Sequence, residues 1–232
     1  MNFFTEKKLI GGHRGSPLKI KENTLGSFEE AIREGVDFIE LDVRSTKDGV
    51  LIVHHDPSTS GFVLSEMSYE DIKSISGNIG YKIPMLSEVI DICSGKILLD
   101  VEIKEEKITK KTAEMLIGQL DPAHFIVTSF YVNAILTLRD LFPEITRGIL
   151  FNKIPHKNID QILKTLKPHF LLPHYSVYGD KVKAICEIYG LKSIPYTVND
   201  EVHIKNFLQD HHIAGIITDE TVKTLNISKL YL

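Results

Sequence analysis

The sequence predicts an α/β protein, a (βα)8 TIM barrel built as a single domain over residues 1–232 with a small insertion after the second strand. Three observations predict it. Eight short apolar runs alternate with eight amphipathic segments from one end to the other, as in strand–helix units of a parallel sheet. The runs are too apolar for a sheet with one wet face, so helices must cover it. The length of 232 residues is ordinary for one α/β barrel. A doubly wound open sheet is the runner-up, because periodicity alone does not report closure.

Taken in order, strands are expected at 9–12, 38–43, 96–103, 125–129, 147–151, 170–173, 193–198 and 215–218. Helices are expected at 24–34, 86–93, 105–120, 132–142, 158–166, 181–189, 201–209 and 220–230. Asn23 or Thr24 precedes the first helix, Asn133 lies near the start of the fourth and Asp200 precedes the seventh, where side-chain oxygens cap free backbone N–H groups. Gly35, Gly190 and Pro143 supply stop signals. After a turn at Lys47-Asp48-Gly49, residues 50–55 return as a further strand and deliver His54 and His55. The stretch 58–84 breaks the alternation, and is expected as an excursion over the barrel mouth with one short helix near 69–75.

The chemistry concentrates where strands end. In the run 38–43, Glu40 and Asp42 are two apart and share one strand face. Acids side by side on an otherwise apolar strand are costly unless a positive charge lies between them. The third run, LLDVEIK, places Asp100, Glu102 and Lys104 on one face in the same way. Together these read as carboxylates around a hard cation, with His55 as a proton-transfer group beside it. The plainer alternatives are an exposed acidic edge and a Glu102–Lys104 rim pair. The first run ends in His13-Arg14-Gly15, with Glu22-Asn23-Thr24 just ahead of the first helix.

These pieces resemble the glycerophosphodiester phosphodiesterase family. HRG at 13–15, ENT at 22–24, ExD at 40–42, HDP at 55–57 and ExK at 102–104 carry the resemblance. Looser matches follow in Ile83-Pro84 before LSEV, TSF at 128–130, YTVN at 196–199 and GIITD at 215–219, so it spans nearly the whole chain. It implies a (βα)8 barrel that hydrolyses glycerophosphodiesters to glycerol 3-phosphate and an alcohol. It also implies Glu40, Asp42 and Glu102 as ligands of Mg2+ or Ca2+, His13 and His55 as an acid–base pair, and Arg14 and Lys104 as phosphate contacts. Glu22 is implied as a further ligand or a site-ordering residue, and Asn23 and Tyr196 as site-ordering residues. Two departures touch the leaving-group side: STSGFV after Asp56-Pro57, and Tyr196 where the family has tryptophan. The end of the last strand, Asp219-Glu220-Thr221, departs too and is expected to be a rim change.

Competing readings are a metal-dependent sugar isomerase or aldolase barrel, which leaves His13-Arg14 without a task, and a silent relative that binds a phosphorylated ligand. The remaining histidines are expected to do less. His54 reads as packing on the strand face opposite His55, and His174 as a candidate for the mouth. His124, His156, His169, His203, His211 and His212 read as surface residues.

A formal charge of −4 offers no basic footprint for nucleic acid or a membrane surface. The opening residues show no signal-peptide pattern and no run is long enough to insert in a membrane. Cys93 and Cys186 lack metal or redox spacing and read as reduced thiols of a cytoplasmic protein. The expected partner is a small soluble glycerophosphodiester, and homo-oligomerisation stays open.

Overall fold

In the computed structural model, which describes residues 2–154 and 159–231, eight parallel strands form the barrel. They are β1 (Leu9–His13), β2 (Phe38–Ser45), β3 (Leu98–Ile103), β4 (Phe125–Ser129), β5 (Thr146–Phe151), β6 (Phe170–Pro173), β7 (Lys192–Ser193) and β8 (Gly215–Thr218). Neighbours run in the order β7-β6-β5-β4-β3-β2-β1-β8. Backbone bonds from Ala214 N to Ser193 O (2.8 Å) and from Ile217 N to Pro195 O (2.9 Å) join β8 back to the β7 segment and complete the ring. Around it lie α1 (Leu25–Glu34), α2 (Leu86–Cys93), α3 (Thr109–Gln119), α4 (Val132–Leu141), α5 (Ile159–Leu166), α6 (Asp180–Tyr189), α7 (Glu201–Gln209) and α8 (Thr221–Ser228).

Alternation along each strand divides the apolar residues into two cores. Ile39, Leu41 and Val43 of β2 and Leu99, Val101 and Ile103 of β3 point outward into the layer under the helices. Phe38, Leu98, Ile126, Leu150, Phe170, Leu172 and Ile217 fill the barrel interior, with Phe3 closing over Phe38 at a ring separation of 5.3 Å. Each large side chain so buried contributes about 1.5–3 kcal/mol. The interior is thus packed at the level of Phe38 and Leu98. Glu40, Asp42, Asp100 and Glu102, on the same faces further along, are left to line the C-terminal end.

Three expectations change. The run 193–198 is a strand only at Lys192–Ser193. Pro195 has no N–H to give, so the rest of the segment is held by separate bonds such as Ile194 N to Leu171 O and Tyr196 N to Pro173 O. The expected helix 105–120 opens as a 3-10 turn, Glu106–Ile108, before α3. The expected strand 50–55 is Leu51–Val53, antiparallel to β2, so His54 and His55 lie beyond it and their directions are set by a turn rather than by strand alternation. The expected start of the fifth helix at Asn158, and His156, fall outside the described residues.

The insertion carries a two-residue hairpin and two short helices, Tyr69–Ser74 and Ser76–Ile79. Its apolar residues Leu64, Tyr69, Ile72 and Ile83 pack on Ile52 of the returning strand. None of the insertion's residues lines the cavity described next.

Candidate active site

A cavity of about 130 Å3 opens where the strands end. It is lined on one side by His13, Arg14, Glu40, His55, Glu102 and Lys104, and on the other by Phe130, Leu150, His174 and Tyr196. Register explains the meeting. His13 pairs with Glu40 across β1–β2, and Asp42 pairs with Glu102 across β2–β3, so the inward carboxylates of adjacent strands stand side by side. One oxygen from each of Glu40, Asp42 and Glu102 lies within 4.8 Å of the others. All three residues are buried, Asp42 to 1% exposure.

The loop after β1 brings the cations. Arg14 sits at φ 56° and Asn23 at φ 55°, a left-handed region that is strained for side chains other than glycine. Between them Gly15 (φ 95°) passes so close to α1 that a Cβ would fall 2.4 Å from Ser27 Oγ. The bend turns the Arg14 amide onto Glu40 Oε2 (3.1 Å) and brings its Nε to 3.2 Å from Asp42 Oδ2. Glu22 accepts from Arg14 at 3.1 Å, and Asn23 Nδ2 donates to Asp42 Oδ2 at 2.8 Å. Thr24 caps α1, its hydroxyl accepting from Ser27 N. From β3, Lys104 Nζ lies 2.7 Å from Glu102 and 3.3 Å from Asp42.

The electrostatics are those of an acid cluster short of positive charge. Burial, then Asp42 and Glu102, push the Glu40 carboxyl well above its ordinary range. Burial and Asp42 push Glu102 up to about 7. Burial raises Asp100, beneath them, to about 8, while Thr128 donates to it at 2.7 Å. Burial also opposes ionisation of Asp42, but Lys104 and Arg14 outweigh it and hold this carboxyl low. Asp42 Oδ1 accepts no hydrogen bond and is faced by the Lys104 ammonium at 3.3 Å, while Asp100 Oδ2 is buried with no partner among the described residues. Oxygen-only donors gathered within 4.8 Å, two of them pushed up by burial and by one another, fit a hard divalent cation.

The two histidines face the cavity from different loops. His55 Nδ1 meets Asp56 Oδ1 at 2.8 Å. Burial, with Lys104 and Arg14 nearby, lowers its pKa. His13 Nδ1 lies 2.7 Å from Asp219 Oδ1, and its Nε2 lies 3.9 Å from Glu40. Asp219 is itself held by Asn199 Nδ2 at 2.7 Å and returns its amide to Asn199 Oδ1 at 2.9 Å. Asp219, expected as a rim change, thus lies against His13. The available signal was an acid directly after the apolar run of the last strand.

His54 turns away from the cavity, its ring nitrogens meeting Asp56 O (2.9 Å) and Tyr81 Oη (3.1 Å). His174 lines the mouth. His212 is buried, contrary to the surface reading. It belongs to a second metal-like cluster with Glu187 and His211 at the far end of the barrel. There both His212 ring nitrogens already face carboxylates, Asp210 at 2.9 Å and Glu187 at 3.2 Å, which makes it a hydrogen-bond network.

Residues 13–223 match the Glycerophosphoryl diester phosphodiesterase family. A glycerophosphodiester phosphodiesterase of Caldanaerobacter subterraneus is 29% identical, over 95% of this chain and 98% of that one. Another, from Bacillus altitudinis, is 28% identical over 90% and 94%. Among solved structures, an Oleispira antarctica phosphodiesterase in complex with the product sn-glycerol-3-phosphate superposes with a TM-score of 0.86 at 24% identity, covering 99% of this chain and all of that one. With a match over this much of its length, and with acids, histidines and cations gathered at the ends of a parallel barrel, the chain belongs to the glycerophosphoryl diester phosphodiesterase family.

Proposed function

We propose that this protein hydrolyses small glycerophosphodiesters to glycerol 3-phosphate and an alcohol, with a divalent cation and two histidines. The observation that carries the reading is the convergence of Glu40, Asp42 and Glu102 with Arg14, Lys104, His13 and His55 around one cavity. Glu40, Asp42 and Glu102 would hold Mg2+ or Ca2+, which when bound neutralises charge on the phosphoryl oxygens.

Arg14 and Lys104 bind the phosphate, Arg14 presenting a planar fork. Glu22 and Asn23 hold Arg14 and Asp42 in place. His55 is the base, since its lowered pKa keeps it neutral near pH 7 and able to accept a proton from the attacking hydroxyl. His13 is the acid. Its Nδ1 meets the Asp219 carboxylate, which orients the ring and leaves Nε2 to protonate the departing alkoxide. Asp219, fixed by Asn199, is a positioning residue for that ring.

The test is to incubate purified protein with glycerophosphocholine, glycerophosphoethanolamine and glycerophosphoglycerol, with and without chelator, and to measure glycerol 3-phosphate. Release from at least one diester, abolished by chelator, is expected. No release from any, with Mg2+ or Ca2+ added, overturns the reading.

A further inference from the structure

The half of the mouth supplied by β4 to β7 takes no part in the chemistry above. Its walls are Thr128, Phe130, Leu150, Asn152, His174 and Tyr196, and none of these is an acid, a lysine or an arginine. The Tyr196 ring stands edge-to-face with Phe130 (centroids 6.1 Å, 88°) and with His174 (5.7 Å, 80°), so its hydroxyl has little freedom of position. That hydroxyl is buried and has no hydrogen-bond partner among the described residues. Burial pushes the phenol further above its ordinary pKa, so it is a donor at every working pH. A buried donor with nothing to donate to has lost its water without recompense, a deficit that a ligand oxygen would cancel.

We propose that the Tyr196 hydroxyl donates a hydrogen bond to a hydroxyl oxygen on the glycerol of the bound diester. The proposal rests on the hydrolase reading above and deepens it by naming a group that recognises the polyol. Position favours the glycerol over the phosphate. Tyr196 follows β7, four strands from β3 and two from β1 around the eight-stranded ring, while the phosphate's countercharges, Arg14 and Lys104, follow β1 and β3. A neutral wall suits a neutral polyol better than an anion. A hydroxyl donor suits an oxygen better than a quaternary ammonium, which puts Tyr196 on the retained glycerol rather than on the leaving-group side that the resemblance implies.

The test compares wild type with Tyr196→Phe, which keeps the ring and removes only the hydroxyl. Dissociation constants for sn-glycerol 3-phosphate and for inorganic phosphate are measured by calorimetry on Mg2+-loaded protein, and the thermal midpoint is measured without ligand. The expected result is binding of sn-glycerol 3-phosphate weakened about five- to tenfold, unchanged binding of phosphate, and a midpoint no lower than that of wild type. Equal weakening of both ligands places the hydroxyl on the phosphate and overturns the proposal, as does no weakening of either. A clearly lowered midpoint shows a partner for the hydroxyl within the free protein and also overturns it. Wild type that binds sn-glycerol 3-phosphate but cleaves no glycerophosphodiester overturns the hydrolase reading alone. Wild type that does not bind it overturns both.

Discussion

Removing the Asp219 carboxylate should disable His13 without touching the cation site. His13 Nδ1 meets Asp219 Oδ1 at 2.7 Å, and Asp219 is braced by two bonds to Asn199, so the carboxylate is fixed before the histidine meets it. A hydrogen bond to a charged group is worth about 1.5–3 kcal/mol. If that stabilisation is felt when His13 gives up its proton correctly oriented, Asp219→Ala should lower kcat about 10- to 150-fold. KM should change little, because no acid in the Glu40–Asp42–Glu102 group is altered. Asp219→Asn keeps the shape but lets the ring settle in the wrong tautomer, so it should recover only part of the rate. The assay is steady-state release of glycerol 3-phosphate across pH, with kcat and KM resolved separately. Asp219→Ala with kcat within twofold of wild type would refute the reasoning, and so would a loss carried entirely by KM.

Three other outcomes follow from the same geometry. His13→Ala and His55→Ala should each lose about 100- to 10,000-fold in rate. His54→Ala should instead lose stability, about 1–3 kcal/mol by denaturant unfolding, because it removes two hydrogen bonds, to Asp56 O and Tyr81 Oη, each worth about 0.5–1.5 kcal/mol. Burial raises the folded-state pKa of Glu40, Asp100 and Glu102, so these groups bind protons more tightly folded than unfolded. Cation-free protein should therefore lose stability as pH climbs from the ordinary carboxylate range through about 7 to 8, by up to about 1.4 kcal/mol per pH unit per group. Cation affinity should rise over the same window, with protons released on binding, and calorimetry in buffers of different ionisation enthalpy reads both; a pH-independent affinity would contradict it. Lastly, the cavity of about 130 Å3 is small against a diacyl lipid. Soluble diesters should accordingly be cleaved while phospholipid in vesicles is left intact, and comparable rates on the two would contradict this.

The barrel was legible in the sequence because each of its units is local. A run such as LLDVEIK must be a strand covered on one face, whatever it pairs with, and α1 announces itself by Thr24 and Gly35 at its ends. Spacing placed Glu40 with Asp42, and Asp100 with Glu102, because side chains two apart on a strand share a face at any register. Where local rules lapse, so did the reading. Pro195 cut the seventh strand short, and the turn after Val53, not strand alternation, separated His54 from His55. The pairing of His13 with Asp219 joins residues 206 apart in sequence. It exists only because closure sets β8 beside β1, with Gly12 opposite Thr218. The unspent hydroxyl of Tyr196 is likewise invisible in sequence, since a partner's absence is a property of everything packed around it. The sequence by itself determined which side chains share a strand face. Only the tertiary structure decided which faces meet, because strand order and ring closure are set by long-range pairing that no local pattern encodes.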